Sequence, residues 1–411
     1  MIVKNKLLTY ENLDKLSCQY GDSFYLIDEE KFAENYEVLL KSFKKNYSCT
    51  TIAYSYKTNY LPELCKIINY NGGCAEIVSE MEFYLAEKIG VTYKDIFYNG
   101  PWKKPECLEE MLKKGVNVNI DGFYEIETIK KIAEKYPQKH FGIGLRVAVD
   151  IGQTEPTRFG FELKNGDLKQ AFIKISEIEN VEVKGLHFHL PYRDIESFKK
   201  RTESLKQVLK MFEEVEFEYI SMGGGYMGEI PKKMIDEFKF IPPSFDEYSS
   251  VIAKEFEIMM RQRKHKTRLI IEPGSALVAN TMRLVTRVVN IKQSRSHWIA
   301  TLSGSTFQMN PSVKSVQRAI EVIHNALEES KSYKNIDMAG YTCIEGDYLY
   351  RGYTGRLAKR DFVVFDNVGS YSIVMKPPFI LPDVPIISIN DFSKCMVREQ
   401  TSEEVFKRFF R

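Results

Sequence analysis

Polar residues and glycines follow a series of apolar, β-prone segments in this chain of 411 residues. The first is Lys57, which comes directly after the segment 51–56. Seven further strand-like segments follow, and most of them also end in residues able to hold a ligand. Because the parallel strands of a barrel bring their C-terminal ends to one mouth, we expect these side chains to surround one site. In chain order the later ends carry Glu76 with Ser79, Asn99, Asp121, Arg146, His189, Gly223-Gly224-Gly225 and Glu272.

The residue types at these ends suit the chemistry of an amine with a carbonyl compound. Lys57 could attack a carbonyl carbon if desolvation and neighbouring cations keep its amine neutral. Glu272, at the end of a hydrophobic strand, needs a cationic partner, and a protonated pyridinium nitrogen would be one. The glycines at 223–225 would let backbone N–H groups approach a phosphate closely. Together these residues predict a Schiff base between Lys57 and pyridoxal 5'-phosphate (PLP).

Each of these residues also has a purely structural interpretation. Lys57 could be a solvated lysine at the head of a helix, and Glu272 could pair with an arginine. The glycine triplet could be a tight turn, and neither a Walker motif nor Gly-x-Gly-x-x-Gly spacing is present. His187 and His189 alternate onto one side of a strand, where they could ligate a metal, stack on an aromatic cofactor or fill the core. No third metal ligand with matching spacing is found, so no metal is predicted.

Eight strand-like segments alternate with helical patterns, which predicts a parallel (β/α)8 TIM barrel over residues 29–275. The alternative is an open doubly wound sheet. After Gly274 the pattern changes to β-prone segments at 284–292, 298–302, 361–366 and 371–375, with one helix at about 315–329. We therefore expect a β domain of residues 276–411, completed by residues 1–28. The eight segments lie at 51–56, 74–78, 95–98, 117–120, 141–149, 183–189, 217–222 and 268–272.

Composition excludes several classes of function. The net charge of +2 gives no strong field that would attract nucleic acid or a membrane surface. No apolar stretch is long enough to span a bilayer, and the first residues lack the apolar centre of a signal peptide. The seven cysteines are scattered, and no CxxC pair occurs among them. An odd, dispersed set of cysteines favours a reducing cytoplasm over a disulfide framework or a zinc site.

Taken in order, the motifs resemble those of the fold-type III PLP-dependent decarboxylases. This group includes diaminopimelate, ornithine, arginine and carboxynorspermidine decarboxylases, and alanine racemase shares its barrel. The resemblance runs from about Phe24 to Pro385. The matching motifs are Phe24-Tyr-Leu-Ile-Asp28, Ala53-Tyr-Ser-Tyr-Lys-Thr-Asn59, Ala75-Glu-Ile-Val-Ser79, Arg158-Phe-Gly160, His187-Phe-His189, Gly223-Gly-Gly225, Glu272-Pro-Gly274, Cys343-Ile-Glu-Gly-Asp347 and Gly369-Ser-Tyr371.

The resemblance implies a role for each motif. Lys57 would form the internal aldimine with PLP, His189 would stack on the pyridine ring, and Glu272 would pair with the ring nitrogen. Cys343, contributed by the β domain of a second subunit, would protonate Cα after CO2 has left. The implied assembly is a two-fold homodimer with shared active sites. The remaining contacts implied with the cofactor are those of Gly223, Gly224, Gly225 and Tyr371 with the phosphate, and of Glu76 and Arg146 nearby.

The chain departs from the family pattern at the phosphate site. The usual Glu-Pro-Gly-Arg ends here in Ser275, so a cation is missing. The Gly-Ser that usually follows the histidine is replaced by Leu190-Pro191-Tyr192. By position alone, Tyr192, Arg193 and Tyr226 are candidates to compensate.

Further departures concern the residues that would meet the substrate. Ile344 follows Cys343 where the family has an acidic residue, with Glu345 one place further on. Asn310 stands before Pro311 in place of an arginine used for a distal carboxylate. These changes argue against lysine, ornithine and diaminopimelate, and favour a modified or carrier-bound amino acid.

Three functions are compatible with this resemblance. The first is PLP-dependent decarboxylation of a small amino-acid substrate at Cα. The second is racemisation on the same barrel, which would need a second base, usually a tyrosine, where Cys343 stands. The third is a non-catalytic, regulatory homologue. Ser275 and Pro191 favour it, and the retention of Lys57, His189, Glu272 and Cys343 opposes it.

Overall fold

The computed structural model describes residues 8–238, 240–261, 263, 266–310, 316–376 and 378–410. The chain divides into two compact units. The barrel unit comprises Ala33–Gly228 and Pro242–Ala276, and the sheet unit comprises Met1–Phe32, Glu229–Ile241 and Leu277–Arg411. Among the described residues, no helix is both long and apolar enough to cross a membrane.

Strands are numbered along the whole chain, beginning with β1 (Phe24–Ile27) of the sheet unit. The barrel unit holds eight parallel strands that close on themselves, because β5 pairs with β6 as well as with β4. This closure confirms the predicted barrel and excludes the open sheet. A short strand, β7 (Phe161–Glu162), pairs with β6 outside the ring. The ring is formed by β2 (Thr50–Ser55), β3 (Cys74–Ile77), β4 (Ile96–Tyr98), β5 (Asn117–Ile120), β6 (Phe141–Ala148), β8 (Val181–Phe188), β9 (Tyr219–Ser221) and β10 (Arg268–Ile271).

Apolar burial on both faces explains why these segments form parallel strands. In β10, Leu269, Ile270 and Ile271 are all buried, as in a sheet covered by helices. Tyr219 fills the barrel interior with Phe97, and a Cβ on Gly185 would lie 2.1 Å from the Tyr219 ring. Glycine is therefore required where this ring passes the neighbouring strand.

Helices follow most of the barrel strands, and side-chain caps start several of them. Ser79, Asp194 and Ser244 each accept a hydrogen bond from the backbone N–H three residues on. The helices of the chain up to the end of the barrel are α1 (Tyr10–Tyr20), α2 (Glu29–Asn46), α3 (Pro62–Tyr70), α4 (Glu80–Lys88), α5 (Pro105–Lys114), α6 (Phe123–Lys135), α7 (Asp167–Ser176), α8 (Ile195–Met211), α9 (Lys232–Phe238) and α10 (Phe245–Met260).

The sheet unit is built on one branched sheet of nine strands in the order β15-β14-β12-β11-β1-β17-β18, with β16 joining β11 to β13. Its core packs Leu13 and Leu16 of α1 against Phe24, Val285 and Phe362. Three short helices complete the unit: α11 (Ser275–Val278, which begins in the barrel unit), α12 (Ser372–Met375) and α13 (Ser402–Phe406). The remaining strands are β11 (Met282–Ser294), β12 (His297–Leu302), β13 (Ile320–Ile323), β14 (Lys331–Ala339), β15 (Tyr348–Leu357), β16 (Phe362–Phe365), β17 (Ile386–Ser388) and β18 (Cys395–Val397).

Two predicted elements of this unit are wrong. The helix expected at 315–329 is replaced by β13, which pairs with the fully buried β16, and Leu327 is 94% exposed rather than packed; residue 315 lies outside the described residues. The strand expected at 371–375 is the short helix α12. Tyr371 precedes it with a φ of +59°, which interrupts an extended backbone.

Candidate active site

Lys57 lies just beyond the end of β2, in a single 3-10 turn formed by Tyr56–Thr58. A Cβ on Gly274 would lie 2.1 Å from Oγ1 of Thr58, so the loop after β10 needs glycine where it passes this turn. Nζ of Lys57 donates a 2.5 Å hydrogen bond to Oε2 of Glu76. The lysine side chain is 33% exposed, whereas Glu76 is buried. The lysine side chain is therefore partly open to solvent, and its amine is held by a buried carboxylate.

A network of side chains inside the barrel, the interior network, joins two carboxylates through one amide. Nδ2 of Asn99 donates to Oε1 of Glu76 at 3.2 Å and to Oε1 of Glu272 at 3.0 Å. Oδ1 of Asn99 accepts from Asn119 at 2.7 Å, and Asn119 accepts from the Tyr219 hydroxyl at 2.8 Å. All five members are buried. The network connects β3, β4, β5, β9 and β10 across the interior.

Glu272 receives two further hydrogen bonds. Oγ of Ser221 donates to Oε1 at 2.6 Å, and Nε2 of His187 lies 3.0 Å from Oε2. Burial opposes ionisation of Glu272, but the charge and hydrogen bond of His187 and the hydrogen bond from Ser221 outweigh it and hold the pKa below its usual value. The structure thus fixes an ionised carboxylate in the barrel, paired with a histidine rather than an arginine.

His189 is a neutral, oriented imidazole. Its Nδ1 accepts a 2.9 Å hydrogen bond from the backbone N–H of Gly224, which places the ring proton on Nε2. Burial lowers the pKa of His189 well below 6.5, and the charges of Arg146 and Lys57 lower it further. The planes of the His187 and His189 rings lie within 6° of each other, with centroids 6.2 Å apart. At neutral pH His189 therefore presents an uncharged aromatic ring.

The glycine triplet forms a loop that no other residue would fit. Gly223 and Gly225 have φ values of +68° and +101°. A Cβ would lie 2.2 Å from the Phe188 carbonyl oxygen at Gly223, and 2.7 Å from the Glu272 carbonyl oxygen at Gly224. The loop is pressed between the ends of β8 and β10, and its backbone approaches any ligand there without a side chain in between.

Arg201 of α8 is a buried arginine behind this loop. Nη1 donates to the carbonyl oxygens of Met222 at 3.3 Å and Gly224 at 2.7 Å. Nη2 donates to the carbonyl oxygens of Leu190 at 2.9 Å and Tyr192 at 2.8 Å. One side chain therefore ties the glycine triplet to the loop that follows β8.

Arg146 and Asp121 form a second buried pair at the barrel mouth. Nη1 of Arg146 lies 3.3 Å from Oδ1 of Asp121, and both side chains are less than 10% exposed. The guanidinium also lies 4.3 Å from the centre of the Phe159 ring. Burial lowers the pKa of Arg146, and Asp121 opposes that shift. Arg146 is thus a fixed cation on the strand next to His187.

The remaining predicted site residues belong to the sheet unit. Cys343 and Ile344 are exposed in a loop held by the buried Asp347. Asp347 accepts hydrogen bonds from the Thr342 hydroxyl at 2.7 Å and from the Thr306 backbone N–H at 2.8 Å. Glu345 lies in the same loop and is also exposed. The thiol is therefore presented to solvent by a rigid turn.

Asn310 and Tyr371 are joined through Ser372. The backbone N–H of Asn310 donates to Oγ of Ser372 at 3.0 Å, and Asn310 is buried with a φ of +49°. Pro311 lies outside the described residues. Asn310 and Tyr371 both belong to the sheet unit.

Comparison with known proteins identifies the family. The family model for the pyridoxal-dependent decarboxylase, pyridoxal binding domain, matches residues 34–279, more than half of the chain. The chain belongs to the PLP-dependent decarboxylases. It is an enzyme that uses PLP to release CO2 from Cα of an amino acid.

Relatives of this decarboxylase span most of its length. A diaminopimelate decarboxylase of Methanothermobacter thermautotrophicus is 27% identical over 382 residues, covering 89% of this chain and 86% of the relative. One from Aquifex aeolicus is 24% identical over 409 residues, covering 95% and 91%. The crystal structure of diaminopimelate decarboxylase from M. jannaschii with L-lysine has a TM-score of 0.84 at 21% identity, covering 97% and 94%. These relatives favour decarboxylation over the racemase and regulatory alternatives.

The residues of the barrel mouth fit PLP. Lys57 offers a solvent-accessible amine, Glu272 a fixed anion for a ring N–H, and His189 a neutral flat ring. The glycine triplet leaves space that a single Cβ would remove. Within the described part of the chain, no group of three His, Cys, Asp or Glu side chains is arranged to hold a metal.

The structure links several predicted residues directly. Glu76 and Glu272 share the interior network, Lys57 is bonded to it through Glu76, and His189 bonds Gly224. Sequence reasoning missed three contributors: His187 and Ser221 as partners of Glu272, and Arg201. The available signal for Arg201 was a charged residue on the apolar face of a helix, between Phe198 and Leu205.

Proposed function

We propose that the enzyme holds PLP at the barrel mouth, with Lys57 as the point of covalent attachment and Glu272 as the partner of the ring nitrogen. The observation that carries this proposal is the 2.5 Å pairing of Lys57 Nζ with Glu76, within the network that also fixes Glu272. The chemistry that bound PLP supplies is an electron sink for the pair left on Cα when CO2 departs.

The Lys57–Glu76 pair holds the amine in position. Oε2 of Glu76 accepts the hydrogen bond of Nζ, and the Ser55 hydroxyl and the Asn99 amide also donate to this carboxylate. Glu76 therefore fixes the nitrogen that attacks the carbonyl carbon.

His189, the glycine triplet and Arg146 orient the cofactor in this proposal. The ring of His189 is uncharged and locked by Gly224, which suits stacking against a pyridine ring. The N–H of Gly225 binds the phosphate, with help from the Tyr371 hydroxyl, because the N–H groups of Gly223 and Gly224 already donate to Ser221 and His189. Arg146 contributes a fixed positive charge nearby.

Cys343 completes the reaction from a second subunit. The bond between Cα and the carboxyl carbon breaks, CO2 leaves, and the electron pair remains on Cα. Sγ–H of Cys343 gives its proton to Cα, and the thiolate recovers a proton from water. Exposure of Cys343 on a loop fixed by Asp347 supports a role at the surface between two subunits of a homodimer.

Mixing two inactive variants tests the shared site. Lys57→Ala and Cys343→Ala proteins are each expected to lose activity. After co-refolding of equal amounts, the mixture should recover about a quarter of wild-type activity, because half of the dimers are heterodimers and each of these holds one intact site of two. Recovery indistinguishable from zero, with heterodimers confirmed by mass spectrometry, would place both residues in the same subunit's site. Full activity of the Cys343→Ala protein alone would remove Cys343 from the mechanism.

For the substrate we propose an amino acid whose distal group is modified or carrier-bound. Asn310 offers a neutral amide where the family pattern has an arginine, and Ile344 offers an apolar side chain where it has an acid. Neither residue matches a free distal carboxylate or ammonium group. The second candidate is diaminopimelate, on the similarity to the decarboxylases named above.

Two measurements test this function. Wild-type protein with added PLP should show a visible absorption band, and Lys57→Ala should lack it. CO2 release should then be measured with diaminopimelate, lysine and ornithine, and with glutamate or diaminopimelate linked through its distal carboxyl to a pantetheine thiol. Efficient turnover of free diaminopimelate would overturn the proposed substrate class, and absence of the band in wild type would overturn the role of Lys57.

We also place the enzyme in the cytoplasm. All seven cysteines are free thiols, including the buried Cys65, Cys74 and Cys107. Free thiols suit a reducing compartment, and a reduced Cys343 is required for the proposed proton transfer.

A further inference from the structure

Arg201 is a buried cation behind the glycine triplet, and no step of the proposed reaction involves it. It lies on the apolar face of α8 and is fully buried. Its five hydrogen bonds all go to neutral acceptors, namely four backbone carbonyls and the Ser197 hydroxyl. Among the described residues no carboxylate forms a salt bridge with it, and the charges of Asp194 and Glu272 act on it only from beyond hydrogen-bonding distance. A buried cation without a counter-ion in contact is costly, so an anion nearby would offset part of that cost.

The guanidinium also sets the direction of the peptide groups in the glycine triplet. The carbonyl of Gly224 points at Nη1, 2.7 Å away. Because a trans peptide is planar, the N–H of Gly225 in the same peptide group points in the opposite direction, away from Arg201. Among the described residues, no acceptor is found for this N–H. A donor with an unused hydrogen bond therefore faces away from the buried cation.

Arg201 remains charged near neutral pH. Burial lowers its pKa to about 10, and Tyr226 and Asp194 oppose the shift. The Tyr226 hydroxyl is itself buried without a hydrogen-bond partner. Tyr192 and Arg193, the other candidates by position, use their backbone carbonyls to accept from Arg201 and Tyr248.

We propose that Arg201 supplies the positive charge that Ser275 lacks, acting through the glycine triplet as a positioning residue for the cofactor's phosphate. The guanidinium holds the loop carbonyls away from the phosphate and turns the Gly225 N–H towards it. Its charge stabilises the phosphate dianion on the other side of the loop. The inference rests on the proposed cofactor site and adds a residue that the family motifs do not include.

Binding of two cofactor analogues separates charge from structure. The probes are 4-deoxypyridoxine and its 5'-phosphate, which lack the aldehyde and so bind independently of Lys57. The ratio of their Kd values measures recognition of the phosphate. Arg201→Gln should reduce this ratio by about tenfold or more, since it removes a unit charge close to the phosphate in a poorly solvated site. Arg201→Lys should keep the ratio within about threefold of wild type, because the charge remains.

Arg263 provides a matched control. Among the described residues its guanidinium also donates to backbone carbonyls alone, those of Leu209, Phe212, Glu213 and Val215, at the other end of α8. Arg263→Gln should lower stability but leave the ratio unchanged. An equal fall in both variants would mean that the loss of structure, not of charge, weakens phosphate binding, and would overturn the proposal.

Restoring an arginine at position 275 gives a second test. Ser275→Arg in the Arg201→Gln background should recover the ratio, and the 31P resonance of bound 4-deoxypyridoxine 5'-phosphate should return to its wild-type titration. If Arg201→Gln does not fold, the Arg201→Lys protein decides, because a collapsed ratio there excludes the role of charge. An unchanged ratio in Arg201→Gln with a Lys57-dependent visible band refutes this inference alone, whereas loss of the band in wild type refutes the proposed cofactor site.

Discussion

Replacement of Gly223 by alanine should lower the free energy of unfolding of the barrel unit. Gly223 has a φ of +68°, and an added Cβ would lie 2.2 Å from the Phe188 carbonyl oxygen and 2.8 Å from Cα of His189. The left-handed backbone costs about 1 kcal/mol for an alanine. Relief of the backbone contacts costs about 2 kcal/mol more, as in other overpacked sites. We therefore expect a total loss of about 3 kcal/mol.

Gly115→Ala is the control for the backbone effect. Gly115 has a φ of +79° at the end of α5, and nothing lies within 4 Å of its added Cβ. It should lose only about 1 kcal/mol. Thermal unfolding of both apo variants should separate them by about 4–8 °C, at 2–4 °C per kcal/mol for domains of this size. Equal midpoints would refute the close approach of the glycine triplet to β8.

Three further outcomes follow from the same site. Glu272→Gln should lower kcat/KM by about 10²–10³, because the ionised carboxylate is lost. Ser221→Ala removes one hydrogen bond and should lower kcat/KM only about fivefold. Equal losses in the two variants, measured as steady-state CO2 release, would contradict the charge assigned to Glu272. His189 has a folded pKa below its unfolded value, so its contribution to stability is present above pH ~6.5 and is lost as pH falls. The free energy of unfolding of wild type, measured with urea, should therefore fall more steeply below that pH than that of the His189→Gln protein. Parallel profiles for the two proteins would count against a buried neutral imidazole. Asn119→Leu should lower the free energy of unfolding by about 2 kcal/mol, because the polar groups of Asn99 and Tyr219 lose their partner. An unchanged midpoint in thermal unfolding would show that Asn119 is not part of the interior network.

The barrel was readable from the sequence because burial imposes a strong pattern there. Each of its eight predicted strands lies within two residues of the observed one, since each is a short apolar run between amphipathic helices. The small strands and turns of the sheet unit were harder. Residues 320–323 form a strand because the apolar edge of β16 needs a partner, which is a tertiary requirement with no local signal.

The candidate site was readable only in outline. Strand-end positions pointed to Lys57 and Glu272 because side chains there share one mouth. These positions could not show which side chain each would contact. Glu272, for example, contacts His187, which lies 85 residues earlier in the sequence on a different strand. The strand ends could not predict Arg201, because it lies on a helix. Its partners are backbone carbonyl groups, which every residue has and which therefore leave no signal in the sequence.

The interior network has a consequence for how such an enzyme can change over evolution. Each of its groups is fixed by another on a different strand, so a substitution at one member leaves a buried polar atom unsatisfied elsewhere. The barrel mouth can therefore vary little without loss of the common chemistry. Ile344 and Glu345 lie instead on an exposed turn whose shape depends on Asp347 and not on their own side chains. If that turn meets the substrate as proposed, new substrates are most accessible through these two positions, which can be altered while Cys343 and the barrel mouth are retained.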